Sequence, residues 1–238
     1  MLLEKMLQSQ GFGSRKRCQQ LIKNGAVRIL DQVVDDPKHR VVLDNLHYQV
    51  QGEDYQYREK VYLALNKPAG YECSHQATHH FSVFELIDSL LLARGVQCVG
   101  RLDQDTTGLL LLTDDGAFLQ AMTHPKKHVP KIYQMHTADP ISEAQIQQLS
   151  LGVELRNESG IFAATDVLAL ADQQLQMTVH QGVYHQVKRM LAAVGNKVER
   201  LHRAQMGELS LASLALAEGE YCYLTEAQVA QAKVQQLL

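Results

Sequence analysis

Residues 99–116 read VGRLDQDTTGLLLLTDDG, and the four leucines at 109–112 decide how the stretch folds. Four consecutive apolar residues have no amphipathic helical period, and the run is too short for a buried helix. It predicts a central β-strand covered on both faces. That strand leaves a loop carrying Arg101, Asp103 and Asp105, and it closes at Asp114 and Asp115, which stand where a helix after Gly116 would begin. Loops at strand ends are where function concentrates. Taken alone, Asp103 and Asp105 are open to several readings: an acid/base pair, a nucleophile, ligands to a hard cation, or loop-formers bonded to backbone near Thr106 and Thr107. In an extended loop the two side chains point the same way, as a glycosidase pair would. Arg101, two residues away, adds a fixed positive charge that weighs against a cation site.

Outward from this strand the chain alternates strands with short helices. VYLALNKPAGY reads as a buried-type strand ending at Pro68–Gly70, and KIYQMHT (Lys131 to Thr137) alternates like a strand. SVFE, SEAQ and TEAQ have capping-box spacing, the first predicting a helix from Ser82 to about Arg94. No regular β-α-β rhythm or internal repeat appears, which favours an α+β fold. Near the N-terminus, Leu2, Leu3, Met6 and Leu7 recur at helical spacing, Ser14 is placed to cap a second helix through Lys23, and VRILDQVVDD predicts two short strands around a turn at Asp31–Gln32. The expected division is a small domain at 1–46, a polar linker at 47–59 and a larger domain at 60–238.

The chain of 238 residues has a net charge of −3, but the charge is unevenly spread. Gly11 to Arg28 holds Arg15, Lys16, Arg17, Lys23 and Arg28 and no acid. His124 to His136 and Val187 to Arg203 are also basic, the latter with Glu199 as its one acid. Basic islands on an acidic body point to a local polyanion contact. No apolar run reaches the about 18 residues of a membrane span, and the first residues lack a signal-peptide pattern, so a cytoplasmic protein without membrane contact is expected. The cysteines, Cys18, Cys73, Cys98 and Cys222, form no C-x-x-C pair, which reads as reduced thiols. CSHQATHH gathers Cys73, His75, His79 and His80, a cluster able in principle to bind zinc, although a polar loop with spare histidines is the commoner outcome.

A second constellation is GVYHQVKRMLAAVG. A helix starting near His185 puts Val187, Met190, Leu191 and Val194 on one stripe and His185, Lys188, Arg189 and Ala192 on the other. A basic outer face serves an anionic partner or simply water.

Together these segments resemble the RsuA-type family of ribosomal RNA pseudouridine synthases over essentially the whole chain. LNKPAGYECS (Leu65 to Ser74) is similar to its first motif, GRLDQDTTGLLLLTDDG to its catalytic motif, KIY (Lys131 to Tyr133) to its tyrosine motif and YHQVKRML (Tyr184 to Leu191) to its basic motif. Residues 1–46 resemble the small RNA-binding domain shared with a ribosomal small-subunit protein. Two departures are Val183, where the family often has a basic residue, and LLEK (Leu2 to Lys5), which lacks the family's usual arginine.

The resemblance implies a catalytic domain built on a mixed, largely antiparallel sheet with flanking helices. It implies site-specific isomerisation of uridine to pseudouridine in ribosomal RNA, with no cofactor and no metal. Asp103 would be the nucleophile, Lys188 the cation that favours its ionised form and Tyr133 the ring that stacks on the displaced base. Arg101 would fill the space left by the flipped nucleotide. Arg15, Lys16, Arg17, Lys23, Arg28, His185, Gln186 and Arg189 are the remaining candidates for RNA contact. The neighbourhood of Thr107 and Asp114–Asp115 is closer to members that modify small-subunit (16S) rRNA than to large-subunit (23S) ones. The expected partner is rRNA or a partly assembled small subunit, met by a monomer. A large-subunit enzyme, an RNA-binding assembly factor without chemistry and a two-carboxylate glycosidic hydrolase remain as competing readings.

Overall fold

A computed structural model describes residues 1–124 and 127–235. In the basic stretch at 124–136, Pro125 and Lys126 therefore lie outside the described residues. The chain divides into two units, one formed by residues 1–61 with 87–96 and one by 62–86 with 97–238.

In the first unit, α1 (Leu3–Ser9) and α2 (Arg15–Lys23) lie beside a four-stranded sheet of β1 (Val27–Ile29), β2 (Gln32–Val33), β3 (His47–Val50) and β4 (Glu53–Gln56), in the order β2-β1-β3-β4. Ser14 caps α2 by accepting a hydrogen bond from the Arg17 amide at 3.3 Å. The β1–β2 turn falls one residue earlier than expected, on Leu30 and Asp31, both left-handed (φ 49° and 62°), so that Ile29 pairs with Gln32. Residues 47–56, expected within a linker, are a hairpin. Gln51 and Gly52 turn it with φ of 56° and 91°, and Tyr48 and Tyr55 stack at 5.7 Å with Phe12 edge-on to both. That aromatic cluster, with Leu3, Met6, Leu7 and Ile22, is the core of the unit.

The helix expected from Ser82 to Arg94 is broken. Ser82 does accept from the Phe84 amide and donate its own amide to Glu85, but only a short 3-10 turn follows (Val83–Leu86). Asp88 then has an extended backbone and caps a separate helix, α3 (Ser89–Ala93), through the Leu90 amide at 2.7 Å. An aspartate just ahead of a leucine run competes for the N-cap and wins. Leu90 joins the first unit's core, and Arg94 of that unit donates to Gln10 at 3.0 Å.

The second unit begins with β5 (Tyr62–Lys67) and the short parallel pair β6 (Tyr71–Glu72) and β7 (Phe81–Ser82). It continues with β8 (Gln97–Val99), β9 (Thr106–Thr113), α4 (Gly116–Thr123), β10 (Lys131–Thr137), α5 (Glu143–Leu151), β11 (Val153–Glu154) and β12 (Ile161–Phe162). It ends with β13 (Thr165–Ala171), β14 (Gln174–Val179), α6 (Gln186–Ala193), β15 (Val198–Met206), β16 (Leu209–Ser210), β17 (Tyr221–Tyr223) and α7 (Glu226–Ala232). The main sheet runs β13-β14-β10-β15-β9-β5-β17, antiparallel except where β15 meets β9. The fold is α+β, as read from the sequence.

The leucine stretch is the inner strand β9, with Leu109 to Leu112 buried. Its two ends are secured differently. At the far end Asp115 accepts from the Ala117 amide at 3.0 Å as the cap of α4 and from the Tyr62 hydroxyl at 2.7 Å. Near the start, Gly108 (φ +104°) lies so close to β15 that a Cβ would stand 2.4 Å from the Arg203 carbonyl oxygen. Only glycine satisfies both the backbone angle and the close approach. SEAQ and TEAQ form complete capping boxes on α5 and α7. Among the described residues no helix is long and apolar enough to cross a membrane.

Candidate active site

Asp103 stands on the loop between β8 and β9, and the backbone of that loop is tied down from below. Lys67, fully buried at the end of β5, donates its ammonium protons to the carbonyls of Pro68 (2.9 Å), Gln104 (3.2 Å) and Thr106 (2.8 Å). Gly70 donates its amide to the Gln104 carbonyl at 2.7 Å, and the Thr106 amide donates to the Asp103 carbonyl at 3.1 Å. Burial lowers the pKa of Lys67 from the ordinary lysine value. The LNKP segment is thus the brace of the aspartate loop. The pattern in the sequence offered no chemical role for Lys67, since two of its three carbonyl partners lie almost forty residues away.

Helix α6 brings the basic constellation to the same loop. Its cap, His185, is left-handed (φ 50°), an uncommon state for a non-glycine residue. From there the imidazole Nε2 lies 3.1 Å from Asp103 Oδ1. Lys188 Nζ lies 3.1 Å from Asp103 Oδ2 and reaches Asp105 at 2.7 and 2.9 Å. Asp105, expected to be a loop-former bonded near Thr106 and Thr107, is instead a second partner of Lys188. Burial opposes the ionised form of both partners, but their mutual hydrogen bonds more than offset it: the Asp105 carboxyl is held below its usual value and the Lys188 ammonium above its own.

A cavity of about 180 Å³ opens beside Asp103, lined by Arg101, Tyr133, Lys188 and His185 and floored by residues of β10 and β15. Tyr133 is buried there with its neighbour in register, Arg203. Arg101 is exposed at the cavity. Cys73 accepts hydrogen bonds from the Leu102 amide at 3.4 Å and from the Cys98 thiol, and the latter first of all draws its pKa down. His75 stacks on Phe84 at 3.6 Å. The CSHQATHH segment therefore spends Cys73 and His75 on other partners, and no metal-ligating group of three is found among the described residues.

Two of the expected RNA contacts have partners within the chain. Gln186 is buried, its amide donating to Gln181 at 3.3 Å. Arg189 donates to Glu158 and to the Tyr184 carbonyl, each at 3.0 Å, and to the Arg156 carbonyl, so its guanidinium clamps the segment between β11 and β12. In the first unit Arg15, Lys16, Arg17, Lys23 and Arg28 are all exposed; Arg15 pairs with Glu4 at 2.7 Å, and Arg28 donates to the Asp31 carbonyl.

Among known proteins, residues 61–193 match the family model described as RNA pseudouridylate synthase, and residues 1–54 match the S4 domain. The chain is 37% identical over 231 residues to ribosomal small subunit pseudouridine synthase A of Vibrio vulnificus, covering 96% of this chain and 98% of that protein. It is 39% identical over 232 residues to the uncharacterized RNA pseudouridine synthase YtzG of Bacillus subtilis (96% and 97% covered). Against the Escherichia coli ribosomal small subunit pseudouridine synthase A the figures are 37% over 212 residues (89% and 85%). A solved structure described as a pseudouridylate synthase superposes with a TM-score of 0.68 at 34% identity over 98% of this chain and 99% of that one.

Proposed function

The chain belongs to the RNA pseudouridylate synthase family, and from that premise we propose that it converts a uridine of small-subunit ribosomal RNA to pseudouridine with Asp103 as the catalytic nucleophile. The observation that carries the reading is Asp103 itself: a carboxylate on a rigidly braced loop, held by Lys188 and His185 at the wall of a cavity that Tyr133 shares. The small-subunit target rests on the names of the relatives, which span nearly the same length as this chain.

The reaction breaks the bond between C1′ of the ribose and N1 of uracil and forms one between C1′ and C5. The hydrogen of C5 is given up and N1 gains one, so product and substrate have the same composition. Nothing in that balance calls for an oxidant, a nucleotide or a metal. A uridine within RNA must leave its stack, at a cost of a few kcal/mol, to reach the cavity. Tyr133 offers its ring to the flipped base, Arg101 fills the gap it leaves, and Lys188 and His185 hold the attacking carboxylate in position. The exposed cations of α2 supply sequence-independent attraction to phosphates. We place the protein in the cytoplasm as a monomer acting on rRNA or a partly assembled small subunit.

The test is to map pseudouridines in rRNA from cells lacking the protein and to restore them with the wild-type chain or Asp103→Asn. One missing site in 16S rRNA, restored by the first and not by the second, is the expected result. An unchanged map overturns the substrate, and restoration by Asp103→Asn overturns the role of Asp103.

A further inference from the structure

The floor of the cavity holds more positive charge than the attack on uridine requires. Arg203, 2% exposed, spends its Nε on the Leu109 carbonyl at 2.7 Å, while its Nη2 is buried without a hydrogen-bond partner. Lys131 spends one N–H on the Val129 carbonyl at 2.8 Å. Among the described residues lining the cavity Asp103 is the only acid, and it is already engaged by Lys188 and His185. Lys131 and Arg203 thus face the cavity with no carboxylate of their own. Five buried polar side-chain atoms lack partners among the described residues; four of them, on Thr106, His180, Gln186 and Arg203, belong to residues of this cavity. Buried polar atoms are ordinarily satisfied, so their concentration in one cavity marks a place built for a polar ligand.

We propose that Lys131 and Arg203 form a paired donor site for a carbonyl oxygen of the flipped uracil, selecting uracil against cytosine and taking up charge as the base detaches. This rests on the uridine reading above. Uracil has a near-twofold axis through N3 and C6 that exchanges N1 with C5 and the 2-carbonyl with the 4-carbonyl. A base that turns about this axis to present C5 to the sugar returns a carbonyl to the same donors. The site therefore holds the base in both orientations, and it faces acceptors throughout. Cytosine carries an amino group in place of the 4-carbonyl, so one orientation would set donor against cation. When the bond to N1 breaks, the pyrimidine carries negative charge shared with its carbonyl oxygens, and preorganised cations are worth most at that moment.

The same pair confers a pH dependence. Burial first, and the neighbouring Arg203 second, bring Lys131 down to about 8. The other titratable groups that face the cavity with it are Asp103, His124, Tyr133, His180, His185 and Lys188; burial lowers His180 as well. Since Lys131 must be charged to act, turnover should fall as pH rises through about 8.

The experiment uses the full chain, with tritium release from a 16S rRNA transcript labelled at uridine C5 as the turnover readout. Titration with uridine and cytidine monophosphates, followed by NMR, is the readout of the cavity alone. Lys131→Met is expected to lower kcat by roughly a hundredfold with transcript affinity unchanged, and to erase the wild-type preference for the uridine nucleotide. Lys131→Arg is expected to recover part of the turnover that Lys131→Met loses and to lack the alkaline fall, because a guanidinium does not titrate there. Wild-type kcat and base preference in Lys131→Met overturn the proposal, as does a wild type without preference for uridine over cytidine monophosphate. If the wild type shows that preference but releases no tritium, the uridine reaction fails while the donor site stands.

Discussion

Lys188 holds both carboxylate oxygens of Asp105, at 2.7 and 2.9 Å, more closely than it holds the single oxygen of Asp103 at 3.1 Å. The two aspartates are therefore unequal claimants on one cation. Asp103 is the deeper, 29% exposed against 57%, and it alone has His185 on its second oxygen. Asp103→Asn should abolish tritium release from the labelled transcript. Asp105→Asn should cost less than about tenfold in kcat, since Lys188 then serves Asp103 alone. A two-carboxylate hydrolase would need both residues equally and would release free uracil, which chromatography of the products would reveal.

The same ion pair predicts how stability follows pH. The folded state lowers the pKa of Asp105, so its contribution is present above the ordinary carboxylate range and is lost as pH falls through the lowered value. Lys188 is raised, so the pair is intact below the ordinary lysine value and is lost at strongly alkaline pH. With Asp105 more than half exposed, the pair is worth about 1 kcal/mol or less. The stability difference between wild type and Asp105→Asn, measured by urea unfolding, should be flat around neutrality and vanish in acid. A difference that persists unchanged to the most acid pH at which the protein still folds would assign it to something other than the charge.

Lys67 connects packing to chemistry without touching the reacting atoms. Lys67→Met keeps the length and apolar stem but removes donors to three carbonyls, two of which flank Asp105. Bonds from a charged donor are worth about 1.5 to 3 kcal/mol each, partly offset because the buried charge disappears too, so a net loss of about 3 kcal/mol is expected. The diagnostic readout is kcat at a temperature where the variant is fully folded. A fall of at least tenfold there, with RNA affinity retained, identifies a loop that has shifted from its position. Unchanged kcat would reduce Lys67 to a purely structural part.

The parts of this molecule that were legible from sequence are those set by local rules. The leucine strand, the capping residues Ser14, Ser142 and Thr225 and the apolar stripe of α6 all follow from periodicity and from side chains able to bond their own helix starts. What was missed depends on distant partners or on competition between neighbours. The hairpin at 47–56 was hidden because its glutamine and tyrosine residues are polar by composition, while its stability comes from Tyr48 and Tyr55 stacking across the strands. The turn pair Gln51–Gly52 was the available signal. In the site, Asp103, Lys188 and Tyr133 are brought together, but Lys67, Lys131 and Arg203 act through carbonyls and a cavity that no spacing rule encodes.

Arg189 separates outward-facing from RNA-facing. The helical period puts it on the basic face, yet its guanidinium is occupied by Glu158 and two main-chain carbonyls. Arg189→Ala should cost about 1 to 3 kcal/mol of stability, leaving Glu158 and those carbonyls without their donor. The salt dependence of RNA binding should not change. A shallower dependence in this variant would show that Arg189 does meet a phosphate.

The cations of α2 give the converse case. Lys16 and Arg17 are exposed, whereas Arg15 on the same helix is already neutralised by Glu4 at 2.7 Å. A phosphate gains from a cation in proportion to the counterions it displaces, and on single-stranded RNA the slope of log K against log salt falls by about 0.7 for each phosphate left without its cation. Lys16→Ala and Arg17→Ala should each flatten the slope by that amount, measured by filter binding of an rRNA transcript across a salt series. Arg15→Ala should flatten it less, because its guanidinium is engaged by Glu4 before RNA arrives and displaces fewer counterions. The wild-type slope in all three variants would mean that α2 faces away from the RNA and that affinity arises elsewhere on the chain.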